Sequence, residues 1–420
     1  MSQNVRELVE GGEAQSMRVF REEVHKLAST PMVAAFAALC LAFNLFLMAT
    51  AESNRPLFNA ASAAAQELGQ RVDDAFVSGL AARVGIDAAA GEEAVVAAMM
   101  AARAAGEPVS DETVLLAAAL GMENMFDGYN AGELATYYGE RVAASPMASA
   151  FVERKYALLQ ERIDHLAQTG AAMDFYAGPA TFAAHSFLFG TLVPAVIAEG
   201  ALVAMVGIVY LLGCEQQMRT AAVVYASRTG RRLVRAKVAA GMTAGLACYA
   251  LLAGATLAVF ALLYDCAGVW GASVSSQFNV IMEGLTARPF ITWADFTVVQ
   301  YLAASLALGA VIVAACGLVA AVAGAMVRGA YRAALVAAAV LVGALTASLL
   351  FADAGCWVAA TLFDLLPVRI WIRSHTWFTD GGAWTLVPWQ EVTGALAGTA
   401  LLGVLLALIM RMQERKDLVS

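Results

Sequence analysis

Chemistry in this sequence stands out where polar side chains fall among apolar ones. Glu199 lies near the middle of the apolar stretch 187–213, five residues after Pro194. An ionisable group at such a place faces a bundle interior or water, because hydrocarbon solvates it poorly. It reads either as a paired packing residue or as part of a translocation path. Asn44 sits inside another apolar stretch, 32–50. Its amide suits a hydrogen bond between helices or the lining of the same path. A second concentration of function is 214–237, CEQQMRTAAVVYASRTGRRLVRAK. It opens with Glu215 and Arg219 and continues through the apolar piece Ala221–Ala226, which includes Val224 and Tyr225. A break at Ser227–Gly230 follows, with Arg228, Arg231, Arg232, Arg235 and Lys237 around and after it. A short basic loop serves topology alone. The apolar piece within it points further, to a short helix offering a docking surface.

Other chemistries lack their residues. The four His (25, 165, 185, 375) have no metal-ligand spacing, so no metal site is expected. No GxxxxGK[ST] surrounds any of the four Lys, and no HExxH occurs, so the chain reads as a non-enzyme. The six Cys have no short spacing, which excludes a disulfide scaffold or zinc ribbon. Cys266 and Cys356 fall at the outer ends of two expected spans, where an oxidising exterior allows a bridge. Two buried thiols is the other reading.

These residues need elements to position them, and composition says which. The chain is 60% hydrophobic and 14% charged over 420 residues. Soluble domains carry about 25% charged residues, so this is a membrane protein. A net charge of −8 excludes the usual nucleic-acid binder. Stretches of about 20 apolar residues mark spans, and six occur: 32–50, 187–213, 238–264, 298–326, 332–352 and 394–410. With both termini inside, the inner segments hold 15 of the 26 basic residues. All seven Trp then fall on the outer side, as an aromatic belt or a substrate exit. The first span is not a cleaved signal, because it is too long and follows a polar segment of about 30 residues.

Residues 51–186 carry 8 basic against 18 acidic residues. A structureless loop of that length is improbable, and its Ala, Glu, Leu and Met favour helices. The expected helices are 57–83, 89–104, 111–126, 132–143 and 148–169. Met17, Phe20, Val24 and Leu27 form one stripe on a helix ahead of Pro31. That helix reads as amphipathic, lying in the inner interface. The GxxxG pattern at Gly241–Gly245 permits close helix approach, within one chain or between two. Gly355–Val368 is apolar enough to lie in the outer interface as a helix.

The expected fold class is all-α, a polytopic membrane protein with six transmembrane helices and a helical extracellular insertion. It divides into a cytoplasmic amphipathic segment 1–30, a first span 31–50 and an extracellular domain 51–186. Spans two to six follow over 187–410, with the inner segment 214–237 and an outer interfacial segment 353–391. A cytoplasmic tail, 411–420, ends the chain.

The layout resembles the permease subunits of bacterial ABC exporters of the second type. The residues carrying the resemblance are Glu215, Thr220–Tyr225, Ser227-Arg228, Gly230–Arg232 and Lys237, with Glu22–Leu27 before the first span. His185–Gly190 and Pro194–Glu199 add to it. The resemblance implies a homodimer or heterodimer of permeases working with two cytoplasmic ABC ATPase subunits. It makes the loop between the second and third spans a coupling helix, in which Glu215, Arg219, Ala221, Val224, Tyr225, Arg228, Arg231 and Arg232 meet the ATPase. ATP and Mg would be bound by that partner, with no cofactor in this chain. The expected function is outward export by alternating access in the bacterial plasma membrane, among membrane lipids and without nucleic acid. Two other readings stay open: a non-transporting sensor or scaffold, and a proton-coupled carrier using Glu199.

Overall fold

Six apolar runs fold as helices long and apolar enough to cross a membrane. The computed structural model describes residues 17–51, 54–174, 178–220, 233–283 and 286–415. Helix accounts for 78% of it, and the protein is a multi-pass membrane protein by the length and apolarity of these helices.

Helix α1 covers 17–28 and packs Phe20, Val24 and Leu27 against Leu211 and Ala240. It therefore docks on the bundle, and only Met17 of its stripe stays exposed. Pro31 starts α2 (Pro31–Thr50), the first span, where a missing N–H costs nothing. The insertion then folds as α3 (Arg55–Leu68), α4 (Asp74–Val84), α5 (Gly91–Ala105), α6 (Asp111–Leu120), α7 (Gly132–Val142) and α8 (Pro146–Thr169). The single helix expected over 57–83 is two. Gly69 at φ +101° stops α3, and the Asp73 carboxylate accepts from Phe76 N–H to start α4. The first half of the insertion has its own core around Phe76, Leu80 and Leu116. The second half packs Tyr156, Leu159 and Ile163 onto Ile291 and Ala383 of later loops.

The second span begins earlier than expected. Helix α9 (Gly178–Phe187) runs through a wide π turn (Leu188–Leu192) into α10 (Val193–Gln217). Pro194 has no N–H to give the preceding turn, which accounts for the widening. Carbonyls there find donors in a later segment: Trp371 Nε1 reaches Pro194 O at 2.9 Å and Ser374 Oγ reaches Phe189 O at 3.5 Å. The remaining spans are α11 (Leu233–Leu263), α12 (Val298–Met326), α13 (Ala330–Asp353) and α16 (Gln390–Arg415). Short helices α14 (Trp357–Phe363) and α15 (Pro367–Ile372) occupy the stretch expected as an interfacial helix.

The all-α expectation needs one correction. Strands β1 (Ser276–Glu283) and β2 (Thr286–Phe290) form an antiparallel hairpin in the loop after the third span. Val280 faces Pro289 and Ile281 faces Arg288 in the ladder, and the apolar pairs Val280-Ile281 and Phe290-Ile291 on either side of Gly284 give a β pattern rather than a helical one.

Packing is uneven. The second and fourth spans are the interior of the bundle, 67% and 56% buried, whereas the fifth is 11% buried. Gly241 and Gly245 let the second and third spans touch backbone to backbone. A Cβ on Gly241 would lie 3.0 Å from Ile208 Cα, and one on Gly245 2.6 Å from Ala204 Cα. The GxxxG face is thus used within the chain. One end of the bundle, called proximal here, gathers α1, the end of the second span and the start of the third. The distal end carries the insertion, the hairpin and residues 357–389.

Candidate functional site

Three polar constellations interrupt the apolar bundle. The first joins three spans at mid-depth. Asn44 Nδ2 donates to Glu199 Oε2 and to Thr256 Oγ1, both at 3.0 Å. Asn44 is 1% and Glu199 7% exposed. The two sequence candidates, 155 positions apart, are therefore in contact. The amide spends both hydrogens, while Asn44 Oδ1 and Glu199 Oε1 keep no partner. Cys40 and Cys248 flank the carboxyl, and no cation pairs with it among the described residues. Thr256 escaped sequence reading because a lone Thr in an apolar helix back-bonds to its own turn as easily as it reaches a neighbour.

The second constellation is proximal. The second span ends with Arg219 in the left-handed region at φ +56°, and Thr220 N–H closes on Glu215 O at 2.9 Å. Lys237, 2% exposed, donates to the Glu215 carboxylate, to Leu211 O at 2.5 Å and to Cys214 Sγ at 3.3 Å. Glu215 and Lys237 thus bind each other across the base of the 216–232 segment. Beside them, Lys26 donates to Glu23 at 2.8 Å. Burial alone would lower the Lys26 ammonium, but Glu23 and Glu215 outweigh it and raise it. Of the expected coupling residues, Ala221, Val224, Tyr225, Arg228, Arg231 and Arg232 lie outside the described residues.

The third is distal and was not foreseen. Lys155 of α8 is fully buried and donates to Asp380 Oδ1 at 2.7 Å, Gly382 O at 2.9 Å and Thr385 O at 2.9 Å. Arg288 of β2 and Tyr156 reach the other oxygen of Asp380 at 2.8 and 3.1 Å. Burial would raise the Asp380 carboxyl, but Lys155 and Arg288 override that and hold it below the usual carboxylate range. Burial and the Asp380 charge together raise the Tyr156 phenol, so it remains a donor. A neighbouring knot has Ser348, Arg369 and Arg373 all on Asp364, at 2.6, 2.8 and 2.9 Å. These contacts weld the insertion, the hairpin and residues 364–385 into one distal body. The one available signal was Lys155 itself, a Lys in a chain with only four.

The tryptophans serve that body too. Trp377 is 2% exposed, and Trp293 Nε1 donates to Thr379 O at 3.0 Å. Trp377 is buried and the other six are half-buried, so they pack into protein more than they form a belt. The bridge between Cys266 and Cys356 is not formed: both are free thiols, one buried and one exposed. Burial, helped by the Asp265 charge, pushes the Cys266 thiol up to about 12. No metal-holding cluster of His, Cys, Asp or Glu occurs among the described residues. Comparison with protein-family models, curated proteins and solved structures yields no match to this chain.

Proposed function

We propose that the chain is the membrane-spanning permease subunit of an ATP-driven ABC exporter, moving its substrate outward by alternating access. The observation that supports this most is the mounting of the 216–232 segment. Lys237 clasps Glu215 and Leu211 O, so the residues flanking the segment are tied by an ion pair whose Lys is buried and whose Glu is half-buried. A push on the segment is then delivered to the second and third spans together. Gly241 and Gly245 keep those spans in backbone contact, and Asn44 carries the motion to the first span through Glu199 and Thr256. The largely bare fifth span, with the first and sixth at 17% burial each, fits a second permease alongside lipid. In this reading the proximal end is cytoplasmic, ATP and Mg²⁺ belong to a partner ATPase, and Arg228, Arg231 and Arg232 meet its surface.

The test replaces Ala221–Ala226 with Asp and Ser in the full chain. The expected result is loss of a co-purifying ATPase and of export, with the spans still folded. A variant that keeps its ATPase and exports normally ends the coupling assignment. One observation favours the carrier reading instead, the buried Glu199 carboxyl with no counter-ion among the described residues. Proton-coupled uptake or efflux in vesicles free of any ATPase, abolished by Glu199→Gln, would move the weight there.

A further inference from the structure

A second kind of site lies on the lipid-facing side of the bundle. Between α1, the first span and the second span runs a cavity of about 280 Å³. Its floor is Val203 and Gly207, its far wall Val33 and Phe36, and Leu27 and Tyr210 close the proximal end. Leu202 and Val206, each 50% exposed, form the open rim toward the bilayer. The lining leaves almost nothing for water. Thr30 Oγ1 is already committed to Lys26 O at 2.7 Å, and a buried water needs two to four polar partners. An apolar void of this size forfeits dispersion contacts on every wall.

Length and charge say what fills it. From Leu202 to Tyr210 the slot follows the second span for about 12 Å. That is most of one leaflet, whose hydrocarbon is about 15 Å deep. The cavity is far too narrow for a second helix, which is about 10 Å across. At its proximal end stands Lys26, with 41% of its side chain exposed, next to Leu27 and one helical turn from Thr30. Lys26 also holds Glu23 at 2.8 Å, and Arg18, Arg21 and Lys26 against Glu22 and Glu23 leave the helix one positive charge, which favours an anionic headgroup. We propose that this slot is a binding site for one acyl chain of an anionic phospholipid, with the headgroup beside Lys26. The lipid wedges α1 against the second span. This site stands apart from the exporter reading, because it needs no ATPase and no cargo.

The experiment uses the full chain in nanodiscs of phosphatidylcholine doped with phosphatidylglycerol bearing a diazirine in its acyl chain. After photolysis, peptides are mapped by mass spectrometry. The expected result is labelling concentrated on 27–36 and 202–210, falling about tenfold in Val206→Trp, which blocks the rim. Leu335→Trp, on the bare face of the fifth span, leaves it unchanged. Labelling spread evenly over other lipid-facing residues such as Leu262 and Leu401 would overturn the site. So would cross-links from the slot to a second copy or to residues 1–16. Displacement of the tracer by a zwitterionic lipid as readily as by unlabelled phosphatidylglycerol would overturn the headgroup assignment. Gly207→Leu fills the floor from within and must give the same loss as Val206→Trp.

Discussion

At the scale of single residues, the buried charges divide by what they hold. Asp380 accepts from Lys155, Arg288 and Tyr156, so removing its charge strands two cations in a dry interior. Asp380→Asn should cost about 3–5 kcal/mol, the loss typical of breaking a buried pair. Thermal unfolding in detergent reads this as a large drop in midpoint. Its pH dependence has a fixed sign. A carboxyl held low contributes stability that is present above the ordinary aspartate value and lost as pH falls through the lowered folded value. The gap between wild type and Asp380→Asn should therefore persist through mild acid and close only in strong acid. A gap already closed in mild acid would contradict the pairing. Asn44 is a smaller case. Asn44→Leu removes one donor from both Glu199 and Thr256 and should cost about 1–2 kcal/mol, with no comparable loss from the exposed Phe43→Leu. Glu199 and Asn44 were legible one by one, as polar residues in apolar runs. Their partnership was not, because nothing in the sequence fixes the relative rotation of two spans.

At the scale of elements, apolar runs and caps explain most of what folds. The fourth span matches its expected bounds of 298–326, since Thr297 and Gln300 form a capping box at its start. The insertion helices were legible from composition and from Gly and Pro breaks. The stop at Gly69 was also present, with Asp73 as the cap of the next helix. The hairpin 276–290 was missed because a loop between spans was read for its charge and not for its alternation. The joint between the second and third spans gives the sharpest test. Gly245→Leu should break it, because the side chain would occupy the backbone of Ala204, and overpacking costs about 1–3 kcal/mol or more. Gly254→Leu on the same helix faces open space and should be silent. Gel filtration and unfolding midpoints of the two variants separate them. Equal behaviour would place the close contact elsewhere.

For the whole molecule, the two ends of the bundle differ in kind. Among the described residues, the proximal end is small, with the Glu215–Lys237 clasp and a lipid-sized slot. The distal end is a cross-braced body built from three stretches of chain. Cys356 is exposed there, whereas Cys266 is buried. A membrane-impermeant maleimide applied to intact cells should label wild type and not Cys356→Ser, if the distal end faces outward. Labelling only after permeabilisation would reverse the topology. The Lys155–Asp380 pair also sets a timetable. Lys155 leaves the ribosome 225 residues ahead of its acid. Four spans are made in between, and the last comes directly after. The second half of the insertion must therefore wait, in water and without its anchor, while most of the protein is still being threaded into the bilayer. A nascent chain stopped anywhere before residue 380 lacks the acid that Lys155 folds around, so the distal body registers whether synthesis has passed the fifth span and reached Asp380.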